Sequence, residues 1–156
     1  MEGNTPLHHA VIEKNLDAII DIVSDDGSTI YVKNDYGKYP FHYTLTSSFH
    51  EAIPYVADKD LLNTMDDDGR YPVYYVCRSG DMLNTMINTG ADLRLKDKYG
   101  KSGLWHIYNN MTIYDTDTMK AHPMILQLTD LDELEDIHPP IKRFVYIKKM
   151  IDVPVL

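Results

Sequence analysis

The chain has 156 residues, 44% hydrophobic and 25% charged, which suits a single globular domain. Its formal net charge of −9 argues against a general nucleic-acid binder, which needs a basic surface to displace counterions, and permits a basic protein partner instead. No apolar run approaches the roughly 18 residues of a membrane span, and the one cysteine, Cys77, allows no intrachain disulfide and points to a reducing compartment.

Met1-Glu2-Gly3-Asn4 carries no signal-peptide pattern, and the first repeat starts so near Met1 that a targeting segment has no room; a cytoplasmic protein is expected. Without a secretory route the sequon Asn110-Met111-Thr112 carries no weight. A first unit is expected over about 2–33. Thr5-Pro6 starts a helix, with the hydroxyl capping free amides and proline at the first turn. Leu7, Ala10 and Val11 give this helix one apolar face. After Asn15, Leu16 to Val23 make a second apolar helix that ends in the turn cluster Ser24 to Ser28. Thr29 to Val32 reads as a short extended piece leading to the turn Asn34-Asp35-Tyr36-Gly37.

The second unit, about 34–65, repeats this order. Tyr39-Pro40 opens a helix through Leu45, Thr46-Ser47-Ser48 breaks it, and a second helix runs from about His50 to Val56, weakened by Pro54. Asp60 to Asn63 then carries the chain to the next turn. In the third unit, about 66–96, Asp66-Asp67-Asp68-Gly69 makes the turn. Val73, Val76 and Cys77 lie on a first helix, and Met82, Leu83, Met86 and Ile87 on a second. Ser79-Gly80-Asp81 joins the two, and Gly90 is available for a left-handed helix end. The fourth unit, about 97–128, decays after Asn109-Asn110. Over 129–156 an acidic stretch, Asp130 to Asp136, precedes a basic-apolar one, Ile141 to Ile151, read as a cap for the last repeat or else an interaction tail.

Four segments share one register: Gly3-Asn4-Thr5-Pro6-Leu7-His8, Gly37-Lys38-Tyr39-Pro40-Phe41-His42, Gly69-Arg70-Tyr71-Pro72-Val73-Tyr74 and Gly100-Lys101-Ser102-Gly103-Leu104-Trp105. Their glycines lie 34, 32 and 31 residues apart (37−3, 69−37, 100−69). A period in that range marks a repeat array. With Thr5-Pro6-Leu7-His8-His9-Ala10 and Gly90-Ala91-Asp92, the chain resembles an ankyrin-repeat protein over about residues 2–128. The resemblance implies an all-α solenoid of helix-turn-helix units joined by hairpin turns, about four repeats followed by a cap over 129–156. It further implies that His8 and His42 are structural, with Tyr39 in place of the second histidine's threonine partner. Tyr71 and Tyr74 fill the two slots in the third repeat, so that polar ladder is expected to be absent there. In the fourth, Gly103 replaces the proline and Trp105 the histidine.

Catalytic and metal chemistry find little support. His8, His9, His42 and His106 fall in or beside one repeat slot, which favours structure over metal binding. Asp66-Asp67-Asp68-Gly69 fails the ends of a calcium loop, with Thr64 first and Tyr75 where a glutamate is needed. Cys77 lies on an apolar helix face; a hydrolase built on Cys77 or His9 is the least favoured alternative. No catalytic, metal or cofactor site is expected. The resemblance implies partner binding at hairpin tips and the inner face of the first helices: Asp35, Tyr36, Lys38, Asp67, Asp68, Arg70, Arg78, Lys98, Tyr99 and Lys101. A non-catalytic adaptor or inhibitor is expected, of the kind found among viral, phage or bacterial effectors, and then located in the host cell. The alternative is an acidic decoy for a basic, nucleic-acid-binding protein. Self-association through the first repeat is a further expectation, and neither direct nucleic-acid nor membrane binding is expected.

Overall fold

A computed structural model describes residues 2–77 and 79–110. The end of the fourth unit, where a helix is expected only from about Met119 or His122 through Leu128, and the capping segment 129–156 lie outside the described residues. The chain divides into two compact units, the first holding 2–64 and 81–91, the second 65–77, 79–80 and 92–110.

In the first unit α1 spans Pro6–Ile12 and α2 Leu16–Asp25. Thr5 caps α1 as expected. Between the helices Lys14 takes a left-handed φ of 56°, which turns the chain, and the Asn15 side chain accepts from the Ala18 amide to start α2. The extended piece expected at 29–32 is instead a 3-10 turn, Gly27–Tyr31. Its cause is local: the Asp26 carboxylate accepts from both the amide and the hydroxyl of Ser28, and the Thr29 hydroxyl donates to the Asp26 carbonyl.

Helix α3 runs over Pro40–Ser47, two residues beyond the expected end. The Thr46 and Ser47 hydroxyls bond back to the Tyr43 carbonyl, and the left-handed turn comes only at Ser48, with φ 53°. The helix expected from His50 to Val56 is divided into a 3-10 turn, His50–Ala52, and α4, Ile53–Val56. Pro54 has no amide hydrogen to give the ladder. A further helix, α5 over Lys59–Leu62, stands where a plain connection was expected. Asp58 starts it by accepting from the amides of Asp60 and Leu61, each at 3.0 Å.

The core of this unit follows the apolar periodicity. Leu7, Val11, Ile19, Phe41, Ile53, Val56 and Leu62 are buried, and α1 packs on α2 and α3. Helix α7, Gly80–Thr89, adds Met82, Leu83 and Met86. Gly80, expected in the join between the two helices, opens α7 instead. Gly90 does end it with φ 117°, and its carbonyl accepts from Asn63 at 2.9 Å.

The second unit holds α6, Val73–Val76, and α8, Gly103–Asn110, which pack together over Val73, Val76, Leu93, Leu104, Ile107 and Tyr108. Here the lost proline has a physical reason. A side-chain carbon built on Gly103 would sit 3.0 Å from Val73 Cγ1, 3.1 Å from the Leu93 carbonyl oxygen and 3.2 Å from Leu93 Cα. Backbone cannot move aside as a side-chain end can. Gly103→Ala should therefore lose about 1 kcal/mol in a urea titration, although alanine is the better helix former. A gain in stability would show that Leu93 shifts freely.

Candidate interaction site at the hairpin tips

The same five-residue turn is built three times. In each, the first residue's amide donates to the fifth residue's carbonyl, and the glycine amide donates back to the first carbonyl: Asn34 to Lys38, Asp66 to Arg70 and Asp97 to Lys101, all at 2.9 Å. Gly37, Gly69 and Gly100 hold φ of 70°, 72° and 74°, a region that favours glycine. The chain direction reverses within a few residues, so side chains at the second and third positions are thrust outward. Among the described residues there is no regular strand, only one bridge between Lys96 and Ser102.

At the 34–38 hairpin, in the first unit, Asp35, Tyr36 and Lys38 are exposed, Tyr36 by 64%. In the second unit Asp67, Asp68, Lys98 and Tyr99 are exposed, Tyr99 by 61%. Arg70 and Lys101 are half-buried. The Arg70 guanidinium lies 4.3 Å from the Tyr74 ring centre, and Lys101 Nζ lies 4.6 Å from that of Trp105. Lys98 likewise reaches back over Tyr99 at 5.1 Å. The cations of these two tips thus sit on their own aromatic rings, while Asp67 and Asp68 carry no hydrogen bond or ion pair among the described residues. Arg78 lies outside the described residues.

His8 is structural. The Thr5 amide can only donate, so His8 Nδ1 accepts it at 3.1 Å, together with the Thr5 hydroxyl at 2.7 Å. The proton then sits on Nε2, which donates to the Lys38 carbonyl at 2.9 Å. His42 keeps the local part of this arrangement, accepting from the Tyr39 amide at 3.0 Å and stacking on the Tyr39 ring. In the third repeat Tyr74 carries Arg70 where a histidine would stand. Cys77 is buried, its thiol donating to the Tyr74 carbonyl and receiving from Asn110; His9 is exposed. The described residues hold no group of three metal-ligating side chains.

Sequence reading missed the residues that hold the tips. Asn34 Nδ2 donates to Tyr43 Oη at 2.7 Å, the Tyr75 hydroxyl donates to Asp66, and His106 Nε2 donates to Asp97 Oδ2 at 2.7 Å. The Tyr75 hydroxyl is pushed up to about 12, first by burial and then by the Asp66 carboxylate that takes its hydrogen. The signal was available as a fixed interval of nine residues between turn and ring, but it appears only once the first turn residue, rather than the glycine, is aligned.

Residues 2–35 match the ankyrin repeat family. The fold is the ankyrin-repeat fold. No curated protein matches its sequence. Solved chains that match number 129, so the likeness is to an architecture rather than to one molecule. One is the crystal structure of the ankyrin repeat domain of Bcl-3, a unique member of the IkappaB protein family. It matches with a TM-score of 0.58 and 22% identity, over 85% of this chain and 60% of that one. The chain thus spans less than two thirds of that solved chain, and identity at this level carries the fold alone.

Proposed function

We propose that the protein is a non-catalytic protein–protein interaction module, an adaptor or inhibitor that takes its partner at the hairpin tips. The observation that supports this best is the exposure of Tyr36 and Tyr99 at equivalent positions of two glycine turns. Tyrosine is enriched at binding hot spots, and a turn closed by repeated backbone bonds presents the ring at little entropic cost. The setting we infer is the cytoplasm, or the host cytoplasm if the protein is a viral, phage or bacterial effector. The test is capture from the native host, identification by mass spectrometry, and repetition with Tyr36→Ala/Tyr99→Ala protein. Capture should fall by about tenfold or more with an unchanged circular dichroism spectrum. Undiminished capture by the folded variant removes the tips from the reading. Arg70 is left intact, since truncating it would also strip the Tyr74 ring.

The unengaged Asp67 and Asp68, beside cations that lie on rings, favour a basic partner. Binding should then weaken steeply between low and physiological salt. A salt-independent affinity would count against the acidic-decoy form of the proposal.

A further inference from the structure

Three turn residues each use two polar atoms at once. Asn34 Oδ1 accepts from the amides of Tyr36 and Lys38 while its Nδ2 donates to Tyr43 and to Asn4 Oδ1, each at 2.7 Å. Asp66 Oδ1 accepts from the Arg70 amide while its other oxygen takes the Tyr75 hydroxyl. Asp97 Oδ1 accepts from Tyr99 and Lys101, each at 2.9 Å, while Oδ2 takes His106. In every case the ring residue lies nine positions on, in the helix after the hairpin. We propose that Tyr43, Tyr75 and His106 are tip-positioning residues. Each holds the outer atom of its turn side chain so that the inner atom stays aimed at the tip amides, and a helix residue thereby sets how the tip is presented. A side chain free to rotate about χ1 and χ2 would let both atoms turn to water. His106 shows the device most fully: its ring stands edge-on to Tyr74 at 4.8 Å and to Trp105 at 5.1 Å, so the imidazole is oriented before it meets the carboxylate. The inference rests on bonds within the chain and does not require the tips to bind anything.

Amide hydrogen exchange on the full chain tests it. With His106→Ala, the Tyr99 and Lys101 amides should exchange about tenfold faster, while those of the 34–38 hairpin keep their rates. Asp97→Asn/His106→Tyr, which rebuilds the Asn34–Tyr43 pair, should restore slow exchange at both amides. Tyr75→Phe removes one hydroxyl and should speed the Arg70 amide without affecting Tyr99. The proposal is overturned if Tyr99 and Lys101 exchange unchanged in His106→Ala, if all protected amides accelerate together, if the rebuilt pair fails to rescue, or if Tyr75→Phe leaves the Arg70 amide as slow as before.

Discussion

His8→Ala should destabilise the protein by about 3 kcal/mol, read as a lower urea midpoint at unchanged slope. The imidazole is fully buried and satisfies three groups: the Thr5 amide, the Thr5 hydroxyl and the Lys38 carbonyl. Its removal leaves the half-buried Thr5 amide without its acceptor, at a cost of about 1–3 kcal/mol, takes one of two donors from the Lys38 carbonyl, which keeps the Asn34 amide, and opens a cavity besides. The neighbouring His9→Ala is the control. His9 is exposed, and its loss should stay within about 0.5 kcal/mol. Equal effects of the two substitutions would mean that water replaces the imidazole and that the histidine is not what joins Thr5 to the next hairpin.

Asp97→Ala should cost a similar amount, about 3 kcal/mol, because the Tyr99 and Lys101 amides and His106 all lose their acceptor. Asp97→Asn should cost less, since an amide oxygen can still accept from the turn, as Asn34 does. Acid should act on the same group. Burial works to raise the Asp97 carboxyl, but the His106 bond and the amides of Lys101 and Tyr99 outweigh it and hold it below the usual range. A carboxyl depressed by folding contributes stability above its unfolded value, about 3.9, and loses it as pH falls through the folded value. Stability should thus decline below about pH 4, and less steeply in Asp97→Ala. Asp58, also held low because the Tyr31 bond and the Leu61 and Asp60 amides outweigh its burial, contributes to the decline in both proteins. Parallel acid curves would show that Asp97 plays no part.

Much of the fold was legible because its signals are local. Thr5-Pro6 and Tyr39-Pro40 begin helices where they should, Leu7, Ala10 and Val11 of α1, Ile19 of α2 and Met82, Leu83 and Met86 of α7 are buried, and the turn glycines sit at positive φ. The errors lie where a nearby polar side chain or a proline competes with the pattern. Asp26 winds 27–31 into a 3-10 turn, Asp58 starts a helix in an expected connection, and Pro54 divides another. At the tips, the exposed residues Asp35, Tyr36, Asp67, Asp68, Lys98 and Tyr99 were placed by register alone, whereas the engagement of Arg70 and Lys101 with rings was not.

The repeat period can be read along the chain from its spaced glycines, and the helix starts and turns from residues within a few positions of one another. The tertiary contacts add which tip cations lie on aromatic rings, how closely Val73 and Leu93 crowd Gly103, and that Tyr43, Tyr75 and His106 hold the hairpins. Those outcomes depend on distances between segments, and a one-dimensional pattern records the order of segments but not their approach.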